Sequence, residues 1–222
     1  MKVTIVYDNN TLKEGLREGW GFSCLVEAEE NILFDTGWKG SDLLHNMKAL
    51  GKEMKDVDAV VLSHEHWDHT GGLPCVLNNA DDLRVYVPES FSNHLKGEIK
   101  KFSELIEVSG PQKITEHIRT TGELEGDYKG PIMEQSLVVE TEKGFVALAG
   151  CSHCGVDKIL SAAENIGETY GLVGGFHGFE EYEILKDLEL IVPTHCTQHK
   201  LEIREKYPET TQEGGVGWTI EL

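Results

Sequence analysis

Segment 63–69 places three histidines and an aspartate within six residues, directly after a short apolar run. If that run is a buried strand, an extended chain sends His64 and His66 to the same side, where both can reach one cation. Asp68 and His69 follow after the chain turns and can serve a second cation. Two metal ions about 3.5–4 Å apart form the clamp used in metal-assisted hydrolysis and phosphoryl transfer. A polar loop with chance histidines is the weaker alternative, because burying several imidazoles without partners is costly.

Other histidines also follow apolar runs of the sequence. His153, His177 and His195 each come within a few residues of the end of such a run. Loops at strand ends, held by a rigid scaffold, are where the ligand residues of an active site converge. Each of these histidines alone could be an ordinary surface residue, but their recurrence at strand ends favours a shared site.

The composition favours a small-molecule partner over a nucleic acid. Asp and Glu number 39 against 20 Lys and Arg in 222 residues, so the formal net charge is -19. A field of that sign repels polyanions and argues against extended nucleic-acid contact. A small anionic substrate is still expected, since bound divalent metals are strong local positive charges. The sequence does not decide whether the chain forms an oligomer.

The distribution of residue types predicts one cytoplasmic domain over residues 1–222. Apolar runs and helical stretches alternate without a low-complexity linker, and the length suits one large domain. The first apolar run is shorter than that of a signal peptide, and no run approaches the roughly 18 apolar residues of a membrane span. Five scattered cysteines do not resemble a disulfide framework, so reduced thiols are expected.

Local patterns predict an α/β arrangement of the chain. Hairpins are expected within 24–34 and 137–149, and helices at 156–165 and 180–188. Ser41 is expected to cap the first helix.

The spacing His-x-His-x-Asp-His at 64–69 resembles the signature of the metallo-β-lactamase superfamily. Further short motifs that match the family are spread over nearly the whole chain: Phe34-Asp35-Thr36-Gly37, Gly150-Cys151-Ser152-His153, Gly174-Gly175-Phe176-His177 and Pro193-Thr194-His195-Cys196. The resemblance implies the α/β fold of that family, an αββα four-layer sandwich in which two mixed β-sheets are flanked by helices.

The words Gly-Cys-Ser-His, Gly-Gly-Phe-His and His-Cys-Thr resemble one branch of the superfamily, the dihydropterin-ribofuranosylaminobenzene 5'-phosphate synthases of methanopterin biosynthesis. This implies an enzyme that condenses a dihydropterin-methyl diphosphate with an arylamine and releases diphosphate. The alternative is a metal-dependent hydrolase of a small ester, lactone, thioester or phosphoester, because one fold hosts many reactions. A second alternative is a metal-binding protein without catalysis.

The family pattern implies three ligands for each of two ions. It assigns His64, His66 and His153 to the first ion, and Asp68, His69 and His195 to the second. One or two divalent ions per chain are therefore expected as the cofactor. Zinc is the first choice, with manganese, iron or magnesium as alternatives.

Three residues are expected to have roles other than metal binding, or in addition to it. The resemblance implies that Asp35 stands behind the ligands and orients a histidine, and that Asp68 orients the nucleophile. Most members of the superfamily place a bridging aspartate where this chain has Gly174-Gly175-Phe176-His177, so no acid follows that strand directly. His177 is therefore expected to bind metal, to contact a substrate phosphate or to transfer a proton.

Cysteines flank two of the expected ligands. Cys151 and Cys154 form a Cys-x-x-Cys around His153, which could make a redox pair or a zinc knuckle. Small buried thiols are favoured instead. Cys196, next to His195, could approach the metal.

Aromatic residues also stand beside expected ligands, namely Trp67, Phe176 and Phe179. They could stack on a flat heterocycle, although aromatic residues at such positions more often belong to the core.

Overall fold

Two mixed β-sheets and a two-stranded ribbon organise the computed structural model, which describes all of residues 1–222. The strands are β1 (Lys2–Tyr7), β2 (Ser23–Glu27), β3 (Asn31–Phe34), β4 (Ala59–Val61), β5 (Arg84–Pro88), β6 (Glu104–Val108), β7 (Gln112–Lys113), β8 (Ile118–Thr120), β9 (Leu124–Asp127), β10 (Pro131–Glu134), β11 (Leu137–Thr141), β12 (Gly144–Ala149), β13 (Thr169–Gly175), β14 (Leu190–Thr194) and β15 (Thr219–Glu221). The helices are α1 (Gly40–Ala49), α2 (Trp67–Thr70), α3 (Leu73–Leu77), α4 (Asn93–Ile99), α5 (Val156–Glu164) and α6 (Lys200–Lys206). Short 3₁₀ segments occupy Met54–Asp56 and Tyr182–Leu185. None of the helices has the length and apolarity that crossing a membrane requires.

The chain divides into two compact units. Unit 1 comprises Met1–Ser109 together with Gly215–Leu222, and unit 2 comprises Gly110–Gly214. A single domain over residues 1–222 stays a prediction.

The sheet of unit 1 has the strand order β15-β1-β2-β3-β4-β5-β6. Strands β3 to β6 run parallel, whereas β15, β1, β2 and β3 pair antiparallel. β4 is short, apolar and fully buried, as is typical of parallel strands covered on both faces. Because Phe34 of β3 pairs with Val61 of β4, the loops that follow these two strands are neighbours.

The sheet of unit 2 has the strand order β14-β13-β12-β11-β8-β7. Strands β12, β13 and β14 run parallel, and β11 pairs antiparallel with β12 and β8. Ala149, Gly174 and Pro193 lie side by side near the carboxyl ends of the three parallel strands. The three loops that follow therefore leave the sheet at the same edge.

Each unit has its own apolar core. Helix α1 contributes Leu43 and Met47 to the core of unit 1, and α5 contributes Ile159, Leu160 and Ala163 to the core of unit 2. Spacings of three and four residues put these side chains on one helix face, so each helix buries a stripe on its own sheet.

The α/β class with two mixed sheets is confirmed, as are the hairpins β2–β3 and β11–β12 and the helix α5. The prediction that Ser41 caps the first helix is wrong, because α1 begins at Gly40 and is preceded by Lys39 without a side-chain cap. The predicted helix at 180–188 is also wrong. Only the 3₁₀ segment Tyr182–Leu185 forms there, and the buried residues Leu185 and Leu188 are spaced by three residues, the repeat of a 3₁₀ turn.

Candidate metal centre

The loop after β4 in unit 1 turns two imidazoles toward each other. His64 Nε2 lies 3.0 Å from His66 Nδ1, and the two ring planes are inclined by 80°. Two nitrogen ligands of one zinc ion, each bonded at about 2.0 Å, lie about 3 Å apart. The pair is therefore spaced for one cation, on the same side of an extended segment as the sequence predicted.

Asp35, directly after β3, organises this loop. Its Oδ2 accepts a hydrogen bond from His69 Nδ1 over 2.6 Å, and both side chains are fully buried. The carboxylate also accepts hydrogen bonds from Ser63 N and Ser63 Oγ, each 2.7 Å long. Ser63 Oγ, whose proton goes to Asp35, accepts from His64 Nδ1 at 2.8 Å. Because Nδ1 is the donor in both histidines, their Nε2 atoms carry the lone pair that a metal ligand needs.

Asp68 and His69 lie together in α2. Asp68 Oδ2 is 3.9 Å from His69 Nε2, and the aspartate side chain is 11% exposed. The carbonyl oxygen of His69 accepts hydrogen bonds from both N and Oγ1 of Thr36, each 2.8 Å long. A side chain at Gly72 would collide with the carbonyl oxygen of Thr36, so glycine is needed there for close approach.

Backbone strain concentrates at the strand ends that the sequence singled out. Asp35, Ser152, His177 and His195 have φ of 58°, 61°, 47° and 44°. The left-handed conformation costs a residue with a side chain about 1–3 kcal/mol and persists only where the surroundings enforce it. Such residues cluster at functional sites, so the strain supports a site at these loops.

Glu134, the last residue of β10, holds the loop that carries His153 in unit 2. The glutamate is fully buried, and its two oxygens accept hydrogen bonds from four successive backbone N–H groups. The donors and distances are Cys151 at 2.9 Å, Ser152 at 2.9 Å, His153 at 2.7 Å and Cys154 at 3.4 Å. A curved run of N–H groups is a natural anion cradle, and here a side chain of the protein occupies it.

Sequence reasoning missed both Glu134 and the ribbon β9–β10 on which it lies. A single glutamate in a short strand carries no motif. The signal available in the sequence is Gly130, a turn residue between two short segments that could form a hairpin. In the structure, Lys129 and Gly130 of this turn both have positive φ, and β9 and β10 pair antiparallel on either side.

Aromatic rings gather around His153. The centroid of the His177 ring lies 5.0 Å from that of His153, and Tyr128, in the turn of the ribbon, lies 4.7 Å from His153 and 5.1 Å from His177. Desolvation lowers the pKa of the half-buried His177, which favours the neutral imidazole.

A cavity of about 700 Å³ in unit 2 is lined by His153 and His177. Its wall carries five carboxylates and one ammonium group, from Glu125, Asp127, Asp157, Glu180, Glu181 and Lys158. The volume is that of a small-molecule site, and the carboxylates suit a ligand rich in N–H donors.

His195, directly after β14, is 3% exposed. Cys151 Sγ lies within 4.8 Å of a ring nitrogen of His195 and within 4.8 Å of a ring nitrogen of His153. The carbonyl oxygen of His177 accepts a hydrogen bond of 2.9 Å from Gln198 N, which ties the loops after β13 and β14 together. Unit 2 thus gathers His153, His177 and His195 at one edge of its sheet.

None of the five cysteines forms a disulfide. Burial and the nearby Glu134 raise the pKa of the Cys154 thiol, which makes it a poor redox nucleophile. Cys196 Sγ donates to the carbonyl oxygen of Cys151 at 3.6 Å. The geometry therefore gives no support to a redox pair at Cys151 and Cys154.

The aromatic residues beside the expected ligands differ in exposure. Phe176 is a core residue, 1% exposed. Trp67 is 51% exposed and meets Trp38, which is 54% exposed, with 4.4 Å between ring centroids. Two exposed indoles therefore flank the signature loop of unit 1.

The donors present fit a divalent cation. In unit 1, His64 and His69 present lone pairs on Nε2, His66 faces His64, and Asp68 adds a carboxylate. Mixed imidazole and carboxylate ligands suit zinc, manganese or iron. Unit 2 adds imidazoles on a loop that a buried carboxylate fixes.

A family model and a curated relative match this chain. The model of the metallo-beta-lactamase superfamily matches residues 21–195. A relative from Methanocaldococcus jannaschii, 7,8-dihydropterin-6-methyl-4-(beta-D-ribofuranosyl)-aminobenzene-5'-phosphate synthase, is 29% identical over 234 residues, covering 83% of this chain and 78% of the relative.

Solved structures share the fold over the full length of the chain. Tm1679, a metal-dependent hydrolase of the β-lactamase superfamily, superposes with a TM-score of 0.80 at 26% identity, covering 100% of this chain and 99% of that chain. A diphosphatase from the PhnP family has a TM-score of 0.66 at 15% identity, covering 100% and 97%. At that identity the diphosphatase shows a common fold and no more.

Proposed function

The chain belongs to the metallo-β-lactamase superfamily, and on this premise we propose that it is a metal-dependent enzyme that joins a dihydropterin-methyl group to an arylamine with release of diphosphate. The similarity to the Methanocaldococcus jannaschii synthase supports this reaction, since it extends over 83% of the chain. The words Gly-Cys-Ser-His and Gly-Gly-Phe-His support the same branch.

The observation that carries metal dependence is the way the histidines of the signature loop are held. His64 and His69 each donate Nδ1–H to a fixed acceptor, Ser63 Oγ and Asp35 Oδ2. Such outer contacts set the tautomer and the direction of imidazole ligands. Burying the carboxylate of Asp35 behind these histidines is energetically costly, and ordinary surface histidines would not require it.

We carry the family's ligand assignment over to this chain as a proposal. The first ion is assigned to His64, His66 and His153, and the second to Asp68, His69 and His195. Zinc is the proposed metal. Divalent cations held by these residues would supply Lewis acidity and would stabilise the negative charge of a departing diphosphate.

The protein's own residues position the two substrates and move the proton. The amine nitrogen attacks the methylene carbon, a nitrogen–carbon bond forms, the carbon–oxygen bond breaks and diphosphate leaves. The amine loses one proton, and we assign its acceptance to His177, which lines the cavity. Asp68 orients the attacking group.

The cavity suits the uncharged end of such a substrate better than its phosphates. Glu125, Asp127 and Asp157 on its wall can accept hydrogen bonds from the N–H edge of a pterin or an arylamine. The carboxylates would repel the diphosphate, so we expect the diphosphate to lie away from this wall. The proposed substrate carries a diphosphate and is therefore an anionic small molecule. The cytoplasmic location of the protein stays a prediction.

A second candidate function is hydrolysis of a small ester, lactone, thioester or phosphoester. The observation in its favour is the similarity to Tm1679, a metal-dependent hydrolase that covers the whole chain. A metal-binding protein without catalysis is disfavoured, because the relative from Methanocaldococcus jannaschii is an enzyme and because His153 and His177 line a cavity large enough for a small molecule.

Mass spectrometry of the condensation product tests the proposal. The purified protein is given dihydropterin-methyl diphosphate and the ribofuranosylaminobenzene phosphate, before and after removal of metal by a chelator. We expect the coupled product with metal, its loss after chelation and its return with added zinc. Product formation that survives complete metal removal would overturn the proposal.

A further inference from the structure

The thiol of Cys151 is a ligand-type group that the proposed ligand set does not use. Cys151 is 3% exposed, and its Sγ lies within 4.8 Å of ring nitrogens of both His153 and His195. A zinc–sulfur bond of about 2.3 Å and a zinc–nitrogen bond of about 2.0 Å add up to about 4.3 Å. That sum is the largest separation of a sulfur and a nitrogen bound to one zinc ion, so donor atoms within 4.8 Å of each other need at most a small side-chain shift to share a cation. The two histidines are the ones assigned to different ions.

The backbone of Cys151 is fixed on both sides. Its N–H donates to Glu134 Oε1 at 2.9 Å, and its carbonyl oxygen accepts from Cys196 Sγ at 3.6 Å. The thiols of its neighbours point elsewhere, since Cys154 Sγ donates to the carbonyl oxygen of Gly155 at 3.7 Å. Cys151 is the one of these three whose sulfur lies in a group of ligand-type atoms together with histidines.

Two divalent cations about 3.5–4 Å apart repel each other, and an anion between them compensates that repulsion. The strand beside Cys151 has no room for such an anion. A side chain at Gly174 would collide with the carbonyl oxygen of Ala149, and one at Gly175 would collide with the carbonyl oxygen of Gly150 and lie 2.7 Å from Cys196 Sγ. The adjacent strand β12 instead leads to a thiol.

We propose that Cys151 is a further metal ligand, which would bind as a thiolate beside His153 and His195 and add a negative charge to the proposed centre. This rests on the proposed metal centre. On binding, the sulfur–hydrogen bond breaks, the proton goes to solvent and a sulfur–metal bond forms, so one negative charge is added. A soft sulfur ligand selects zinc or iron over magnesium and manganese.

X-ray absorption at the zinc edge of the zinc-loaded, full-length protein tests the proposal without any measurement of turnover. We expect a sulfur scatterer at about 2.3 Å in addition to nitrogen and oxygen. Bound zinc with nitrogen and oxygen neighbours only would overturn the thiolate but leave the proposed function standing. A protein that binds no zinc in equilibrium dialysis would overturn both.

Matched serine variants then identify the sulfur. Cys151→Ser should lose the sulfur scatterer and bind fewer zinc ions per chain, while Cys154→Ser should keep both. Cobalt-loaded protein gives a second readout, because a thiolate adds a charge-transfer band that Cys151→Ser should remove. A sulfur scatterer that persists in Cys151→Ser and disappears in Cys196→Ser would overturn the assignment.

Discussion

Nδ1 of His69 donates a hydrogen bond to Oδ2 of Asp35 across 2.6 Å, and neither side chain is exposed to solvent. This contact joins the residue after β3 to a residue of α2 that lies 34 positions later in the chain. The same carboxylate receives N–H and O–H of Ser63. One buried carboxylate therefore fixes the tautomer of a proposed ligand and also the path of segment 63–69.

Replacing Asp35 by asparagine should weaken metal binding by about 10–100-fold, because an outer partner of an imidazole ligand is lost. Competition between the protein and a chromophoric chelator measures the change. Asp56→Asn, at an exposed position of unit 1, is the matched control and should leave the affinity unchanged. Equal affinities in both variants would mean that Asp35 does not orient a ligand.

His66→Ala should lower the metal content and bring turnover below detection, since its Nδ1 is one of two nitrogens spaced for a cation. Elemental analysis of the purified variant measures the metal. The exposed histidine His94, replaced by alanine, serves as the control. Full metal and full activity in His66→Ala would remove it from the ligand set.

His177→Ala should keep its metal and lose turnover, because the imidazole lines the cavity and packs on Tyr128. Metal content and kcat, measured on the same preparation, separate the two roles. If metal and turnover fall together, His177 is a ligand and its assignment to the substrate is wrong.

Glu134→Gln should destabilise the protein by about 1–3 kcal/mol, since an amide nitrogen replaces a carboxylate oxygen and leaves buried N–H groups without an acceptor. Urea unfolding followed by circular dichroism gives the free energy of unfolding. Glu142→Gln, in an exposed turn, should change it little. Equal free energies of unfolding in both variants would show that Glu134 does not stabilise the loop that carries His153.

Trp67→Ala should raise the KM for the pterin substrate, because the exposed pair Trp67 and Trp38 offers a face on which a flat ring can stack. Pterin binding should also quench the tryptophan fluorescence of the parent protein more than that of the variant. Phe102→Ala, at another exposed aromatic position, is the control. A KM that is the same in all three proteins would leave the indoles without a role in binding.

The local order of strands and the ligand-type residues could be predicted from the sequence because both depend on short-range patterns. The hairpin β11–β12 follows from two apolar runs around Glu142-Lys143-Gly144. His64 and His66 follow from the two-residue period of an extended chain. These inferences need no knowledge of which strands pair.

The supports of the site could not be predicted, because they join residues far apart in the chain. Glu134 reaches the N–H groups of Cys151 and Ser152 from 17 and 18 positions away, and nothing local marks it. The closeness of Cys151 to His195 likewise depends on the parallel pairing of β12, β13 and β14. The predicted helix at 180–188 is limited to the 3₁₀ segment Tyr182–Leu185, and Leu185 and Leu188 pack into the core of unit 2.

Diphosphate release from dihydropterin-methyl diphosphate, measured on zinc-loaded protein with and without the ribofuranosylaminobenzene phosphate, tests the central claim most directly. We predict release that requires the acceptor. Release of equal rate without the acceptor would contradict the synthase and identify a phosphohydrolase. If metal-loaded protein releases no diphosphate in either case, the synthase is contradicted and hydrolysis of an ester, lactone or thioester becomes the favoured function.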